Sequence, residues 1–146
     1  MKDVTIYTDG ACSNNPGPGG WGAIIMYGNI RRELSGYEPD TTNNSMELRA
    51  VIESLKLLKE SCNVKLYTDS KYIVDSVTKW VHNWKSNGWR TSKKEPVKNK
   101  HLLEEVLKLS EVHKIEWHWV KGHDGNQFNE ECDLLAKNQI KIHSSN

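Results

Sequence analysis

Two stretches of this 146-residue chain echo each other: IYTDG closes one strand-like run at Asp9, and LYTDS closes another at Asp69. Both runs mix β-branched and aromatic residues with polar ones, the composition of a half-buried strand. Between them, Leu48, Val51, Leu55 and Leu58 recur at helical spacing. A helical crossover favours a parallel, adjacent arrangement of the strands it joins. Neighbouring strands lie about 5 Å apart, so the two terminal carboxylates should meet. Charges that close repel unless a cation sits between them.

The other elements fall around this pair. Residues 21–28 read as a second strand and residues 29–38, entered through Gly28-Asn29, as a third, which makes an antiparallel meander with the first. The stretch TTNNS opens the crossover helix, and VKLYTD is the fourth strand. Short helices are expected around Tyr72–Val77 and Trp80–Lys85, with a break at Gly88, and an amphipathic helix over 101–112. A last strand follows at 115–120. The chain then reads as helix over 126–142, with Cys132, Leu135, Ala136 and Ile140 on one stripe, ahead of a polar tail at 143–146. Strands first, then strands alternating with helices, predict an α/β mixed sheet covered by helices. The length suits a single domain over residues 1–146.

Composition narrows the class. With 36% hydrophobic and 27% charged residues the chain is neither disordered nor membrane-like. Its longest apolar run, Ala23 to Tyr27, is far short of a span, and nothing before Val4 reads as a secretory leader. Three cysteines, Cys12, Cys62 and Cys132, with no C-x-x-C pair argue for reduced thiols and a cytoplasmic location. The net charge of +1 hides an uneven distribution: residues 79–100 carry seven basic groups and one acid, leaving −5 for the rest. Trp80, Trp84 and Trp89 are interleaved with that +6. Trp80 and Trp84, at i and i+4, suit the packed face of a helix.

Two further acids sit where acids are uncommon. Glu47 lies with Val51, Ser54 and Leu58 near the face of the crossover helix that should bury against the sheet. Asn44 with Glu47 three residues on also resembles a capping box, a purely structural use. Asp133 lies beside Cys132, ahead of Ala136 and Ile140, on the apolar side of the last helix. Asp9, Glu47, Asp69 and Asp133 directed at one sheet edge would destabilise each other unless cations neutralise them. Oxygen donors without thiolate or clustered imidazole select Mg²⁺ or Mn²⁺ over zinc. Such a site suits phosphoryl transfer.

The segments YTDGACSNNPGPGGWG, TTNNSMEL, LYTDSKYI, VHNWKSNGW with the later PVKNK, and WVKGHDGNQFNEECDLLA resemble the type 1 ribonuclease H family. They occur in family order over about residues 4–137. The resemblance implies a ribonuclease H-like fold, a five-stranded mixed sheet with helices on both faces. It implies an endonuclease that hydrolyses the RNA strand of RNA–DNA hybrids with two Mg²⁺ ions, Mn²⁺ being an alternative, and leaves 5′-phosphate and 3′-hydroxyl ends. Asp9, Glu47, Asp69 and Asp133 would be its metal-binding catalytic acids, assisted by His123. Cys12, Asn15, Asn43 and Asn44 would line the minor groove and read 2′-hydroxyls. Thr42 with Asn99 would hold a DNA phosphate, and Trp80, Lys85 and Ser92 would lie along the DNA strand in a basic protrusion over about 79–100. Ser86 and Asn87 follow Lys85 where many relatives continue with basic residues, which points to weaker binding. Lys71 stands where relatives often carry glutamine.

Other readings are weaker. Residues 17–22, GPGGWG, match the dinucleotide fingerprint, but a strand follows where that motif needs a helix. His118, His123 and Cys132 fit no zinc spacing, and His118 in a tryptophan-rich strand reads as structural. Transposases, integrases and resolvases of the wider superfamily also gather acids on a mixed sheet. A hybrid-binding module that does not cut would have lost an acid, and none is lost here. The absence of a heptad or a spare apolar helix predicts a monomer.

Overall fold

The computed structural model describes residues 1–121 and 126–144. Among them, five strands, β1 (Lys2–Cys12), β2 (Gly17–Tyr27), β3 (Ile30–Thr41), β4 (Cys62–Thr68) and β5 (Lys114–Trp119), form one sheet in the order β3-β2-β1-β4-β5. β1, β2 and β3 pair antiparallel, whereas β4 is parallel to both β1 and β5. The expected five-stranded mixed sheet is present, with the echo strands side by side: Tyr7 is opposite Tyr67, and Thr8 opposite Thr68. That register carries Asp9 and Asp69 off the same sheet edge.

Side-chain alternation splits the two faces. Val4, Ile6 and Leu66 are buried with Leu48, Val51, Ile52 and Leu55 of α1 (Asn43–Leu57) and with Leu103 and Val106 of α4 (Lys100–Val112), the largest apolar cluster. α5 (Gln127–Ser144) covers the other face over β1, β2 and β3. Its approach needs Gly22, where a Cβ would come within 2.5 Å of the Cys132 carbonyl oxygen.

Several elements differ from the sequence expectation, with β1 running past Asp9 to Cys12 and β3 past residue 38 to Thr41. β2 begins at Gly17, because strand pairing extends through glycines that carry no side chain to show alternation. This places GPGGWG inside a strand and removes the dinucleotide reading. The two expected short helices are one continuous stretch: α2 (Lys71–Asp75), a wider π turn (Ser76–Trp80) and α3 (Val81–Asn87), ended by Gly88 at φ +76°. The last helix runs through Ser144, so the polar tail is helical over 143–144. No helix of the described residues is long and apolar enough to cross a membrane.

Candidate active site

Asp9 sits near the end of β1, Asp69 directly follows β4, and Glu47 lies in the first half of α1. Glu47 reaches the strand end because Gly10 lets the helix close on β1: a Cβ at Gly10 would lie 2.5 Å from the Glu47 backbone nitrogen. The three carboxylates offer oxygens that all lie within 4.8 Å of one another. The Gly10 N–H donates to Glu47 Oε1 at 2.6 Å and also to Asp9 Oδ1 at 2.9 Å. Thr68 Oγ1 lies 3.5 Å from Glu47 Oε2. Glu47 is 2% exposed and Asp9 6%.

Such burial disfavours ionisation. The Asp9 carboxyl is pushed up to about 7, first by burial and then by the charges of Asp69 and Asp133, with a Glu47 hydrogen bond opposing. Burial, with the nearby Asp9 charge next, pushes Glu47 well above the carboxylate range. A buried acid cluster raised in this way favours the entry of added positive charge. Its donors are hard oxygens spaced for a small divalent cation. The residues present therefore fit the group the sequence implied. Among the described residues this is the one cluster of histidine, cysteine and acidic side chains with such spacing; the zinc alternative, which includes His123, lies partly outside the described residues.

Asp133 stands apart from the tight trio. It lines the same cleft of about 440 Å³ with Asp9, Glu47, Asp69, Cys12 and Asn43, but its Oδ2 is paired to Lys137 Nζ at 2.9 Å, one turn along α5. Sequence reading missed Lys137; its spacing of four from Asp133 was the available signal. His123 lies outside the described residues.

The other expected contacts divide. Thr42, not Asn44, caps α1: its Oγ1 accepts from the Ser45 N–H at 3.2 Å. Glu47 is thus no capping-box partner; the box reading failed because Thr42 and Asn44 are both good caps and the chain uses the earlier one. The Thr42 hydroxyl donates to Ser45 Oγ at 2.9 Å, and Ser45 donates to Asn99 Oδ1 at 2.8 Å. Ser45, unnoticed in the sequence, joins Thr42 and Asn99 into one polar chain that Asn99 extends to the Tyr72 hydroxyl at 3.3 Å. Asn15 Oδ1 accepts from the Asn43 N–H at 2.9 Å, and Cys12 Sγ lies 3.3 Å from the Thr41 carbonyl oxygen. Asn44 is exposed in the first turn of α1.

In the basic stretch, Trp80 is 41% exposed between Tyr72 and Trp84, whereas Trp84 packs on the core, as its spacing allowed. Trp80 and Ser92 line a cleft of about 620 Å³, and Lys85 is exposed on α3. His118 stacks on Tyr67 at 4.8 Å and Tyr67 on Tyr7 at 5.1 Å, an aromatic ladder across three strands that agrees with its structural reading.

The family profile described as RNase H matches residues 1–141. The chain belongs to the RNase H family. It is 59% identical over 145 residues to the ribonuclease H of Acetivibrio thermocellus, covering 99% of each chain. Among solved structures it is similar to LC9-RNase H1, a type 1 RNase H with the type 2 active-site motif, at a TM-score of 0.88 and 34% identity, covering 97% of this chain and 74% of that one. The foamy viral protease-reverse transcriptase in complex with RNA/DNA hybrid matches at a TM-score of 0.79 and 25% identity, covering 97% of this chain and 20% of the viral one.

Proposed function

We propose that this member of the ribonuclease H family is an endonuclease that cuts the RNA strand of RNA–DNA hybrids, leaving 5′-phosphate and 3′-hydroxyl ends, and that the acid cleft is its active site. The observation that carries this reading is the convergence of Asp9, Glu47 and Asp69 oxygens within 4.8 Å at the end of two parallel strands, with Asp133 across the cleft. The ions are two Mg²⁺, with Mn²⁺ as a substitute. When bound, they neutralise charge on the scissile phosphate and make water a competent nucleophile in an in-line displacement.

The chain supplies position. Asp9, Glu47 and Asp69 come from three elements fixed by the core, so their oxygens are arranged before substrate arrives. Asp133 completes the set from α5. Cys12, Asn15, Asn43 and Asn44 rim the same end of the sheet and face the minor groove, where 2′-hydroxyls distinguish RNA from DNA. Thr42 and Asn99, bridged by Ser45, hold a phosphate of the DNA strand. Trp80, Lys85 and Ser92 extend that contact along the basic segment. His123 moves protons beside the phosphate. The protein works as one catalytic unit over residues 1–146 and as a monomer. Cys12, Cys62 and Cys132 are free thiols, which supports a cytoplasmic location.

Labelled RNA–DNA hybrid, duplex DNA and duplex RNA, each incubated with Mg²⁺, test the reading together with Asp9→Asn. Cleavage of hybrid RNA alone is expected, and the variant should bind hybrid but not cut it. Cleavage of duplex DNA, or hybrid binding without cleavage by the unaltered protein, would refute it in favour of another superfamily nuclease or a binding module.

A further inference from the structure

Four carboxylates line the cleft, and among its described lining residues the one lysine or arginine is Lys137. Helix geometry explains why it is there. Residues four apart lie on the same face, so any seating of α5 that turns Asp133 toward the cleft turns Lys137 with it. Exposed pairs of this spacing are common and need no function. Two observations separate this one from them. Asp133 has a side chain only 18% exposed, in a cleft it shares with three other acids. Lys137 lines that cleft as well, so its charge faces Asp9, Glu47 and Asp69 and not only its helix neighbour.

We propose that Lys137 is the resident counter-ion of the acid cluster, holding Asp133 in the metal-free protein and yielding it when a divalent cation enters, so that its charge limits how tightly that cation binds. The proposal rests on the metal-site reading above. An ammonium brings one charge on a flexible stem, whereas a hard divalent cation brings two and binds several oxygens at once. The cation therefore displaces the lysine. It must also overcome the repulsion of a positive charge already within reach of Asp133. Removing that charge should have opposite effects in the two states: it leaves the metal-free cluster less compensated and makes the cleft more attractive to a cation.

Lys137→Met keeps the aliphatic stem and helix propensity. Lys141→Met removes the same charge one turn further along α5, where the residue is exposed. Thermal melting in EDTA and Mg²⁺ titration by calorimetry are the two readouts. In EDTA, Lys137→Met should lower Tm by about 2–4 °C, and the loss should shrink measurably when Asp9→Asn has already lightened the cluster. The Mg²⁺ Kd should tighten about three- to tenfold in Lys137→Met, with Lys137→Arg and Lys141→Met at the wild-type value. An EDTA loss of equal size in both backgrounds would make Lys137 an ordinary helix-surface pair and overturn the counter-ion role. An unchanged Kd, or the same tightening in Lys141→Met, would overturn the competition. If the unaltered protein showed no Mg²⁺ binding, the metal-site reading and the competition would fail together, while the comparison in EDTA would still decide whether Lys137 serves the acids.

Discussion

Without divalent metal, Asp9→Asn should make this protein more stable, by an amount that depends on pH. Asp9 is nearly buried, and its carboxyl is pushed up to about 7 by burial and by the acids around it. A group whose pKa is higher folded than unfolded supports folding fully below its unfolded value, near 4, and this support is lost as pH rises through the folded value. Each pH unit between them is worth about 1.4 kcal/mol, which makes the penalty at pH 8 on the order of 4 kcal/mol if Asp9 bore it alone. Glu47 shares it through the same oxygens. The asparagine also keeps an acceptor for the Gly10 N–H that Asp9 now uses. We therefore expect a gain of about 2 kcal/mol at pH 8, or roughly 4–8 °C in Tm for a chain of this length.

The assay is thermal melting in EDTA from pH 4 to pH 9, with the variant and the unaltered protein measured side by side so that other titrating groups cancel. The difference should be near zero at pH 4 and grow through pH 7. Saturating Mg²⁺ should reverse its sign, because binding stabilises a native state only where the ligands are intact. A difference in EDTA that stayed flat with pH, or that was negative at pH 8, would refute the convergence of the four acids.

Three further outcomes test other parts of the site. Neutralising Lys85, Arg90, Lys93 and Lys94 together should weaken hybrid binding and reduce the log–log salt slope by up to about 3, with turnover at saturating substrate retained; fluorescence anisotropy across a salt series checks it. His123→Ala should slow single-turnover cleavage by roughly 10² without abolishing it, unlike Asp9→Asn; quench-flow on the hybrid shows which. Gly10→Ala should cost about 1–3 kcal/mol by overpacking α1 against β1 and should weaken Mg²⁺ binding as Glu47 is pushed back, measured by melting and calorimetry on the same preparation.

How much of this was readable without coordinates depended on whether local pattern or tertiary contact set each feature. The meeting of Asp9 and Asp69 followed from the echoed strand ends together with the helical crossover between them, which favours parallel, adjacent pairing. Glu47 was visible as an acid on an apolar face, but its near-complete burial was not, because that depends on Gly10 in another element. The extension of β2 through Gly17–Gly20 was hidden for a related reason: glycine erases the alternation that announces a strand, and β1 and β3 on either side supply the pairing. The two short helices expected around Tyr72 and Trp80 are joined by a π turn, which keeps the chain helical while shifting the faces beyond it. Ser45 carried no signal of its own; only the fold brings it within 2.8 Å of a residue 54 positions away.

The placement of Asp133 illustrates why a carboxylate set can be recognised in a sequence without its state being known. Asp9, Glu47 and Asp69 are tied to the core through β1, α1 and β4, and their closeness follows once the sheet has formed. Asp133 comes from a helix on the opposite face, one turn before a lysine, and can satisfy its charge locally. Three acids are therefore committed to one another by packing, while the fourth has an alternative partner. The trio carries the desolvation penalty, seen in the raised Asp9 and Glu47 carboxyls. The fold must offset that penalty elsewhere in the metal-free protein. A cation that binds all four would relieve the trio and compete with Lys137 only for the fourth, so the first and largest gain in stability should come from the trio. Removing Asp9 should accordingly abolish more of the Mg²⁺-induced rise in Tm than removing Asp133. Melting of Asp9→Asn and Asp133→Asn over one Mg²⁺ series checks this order, and an equal or larger loss for Asp133→Asn would show that α5, and not the strand pair, anchors the site.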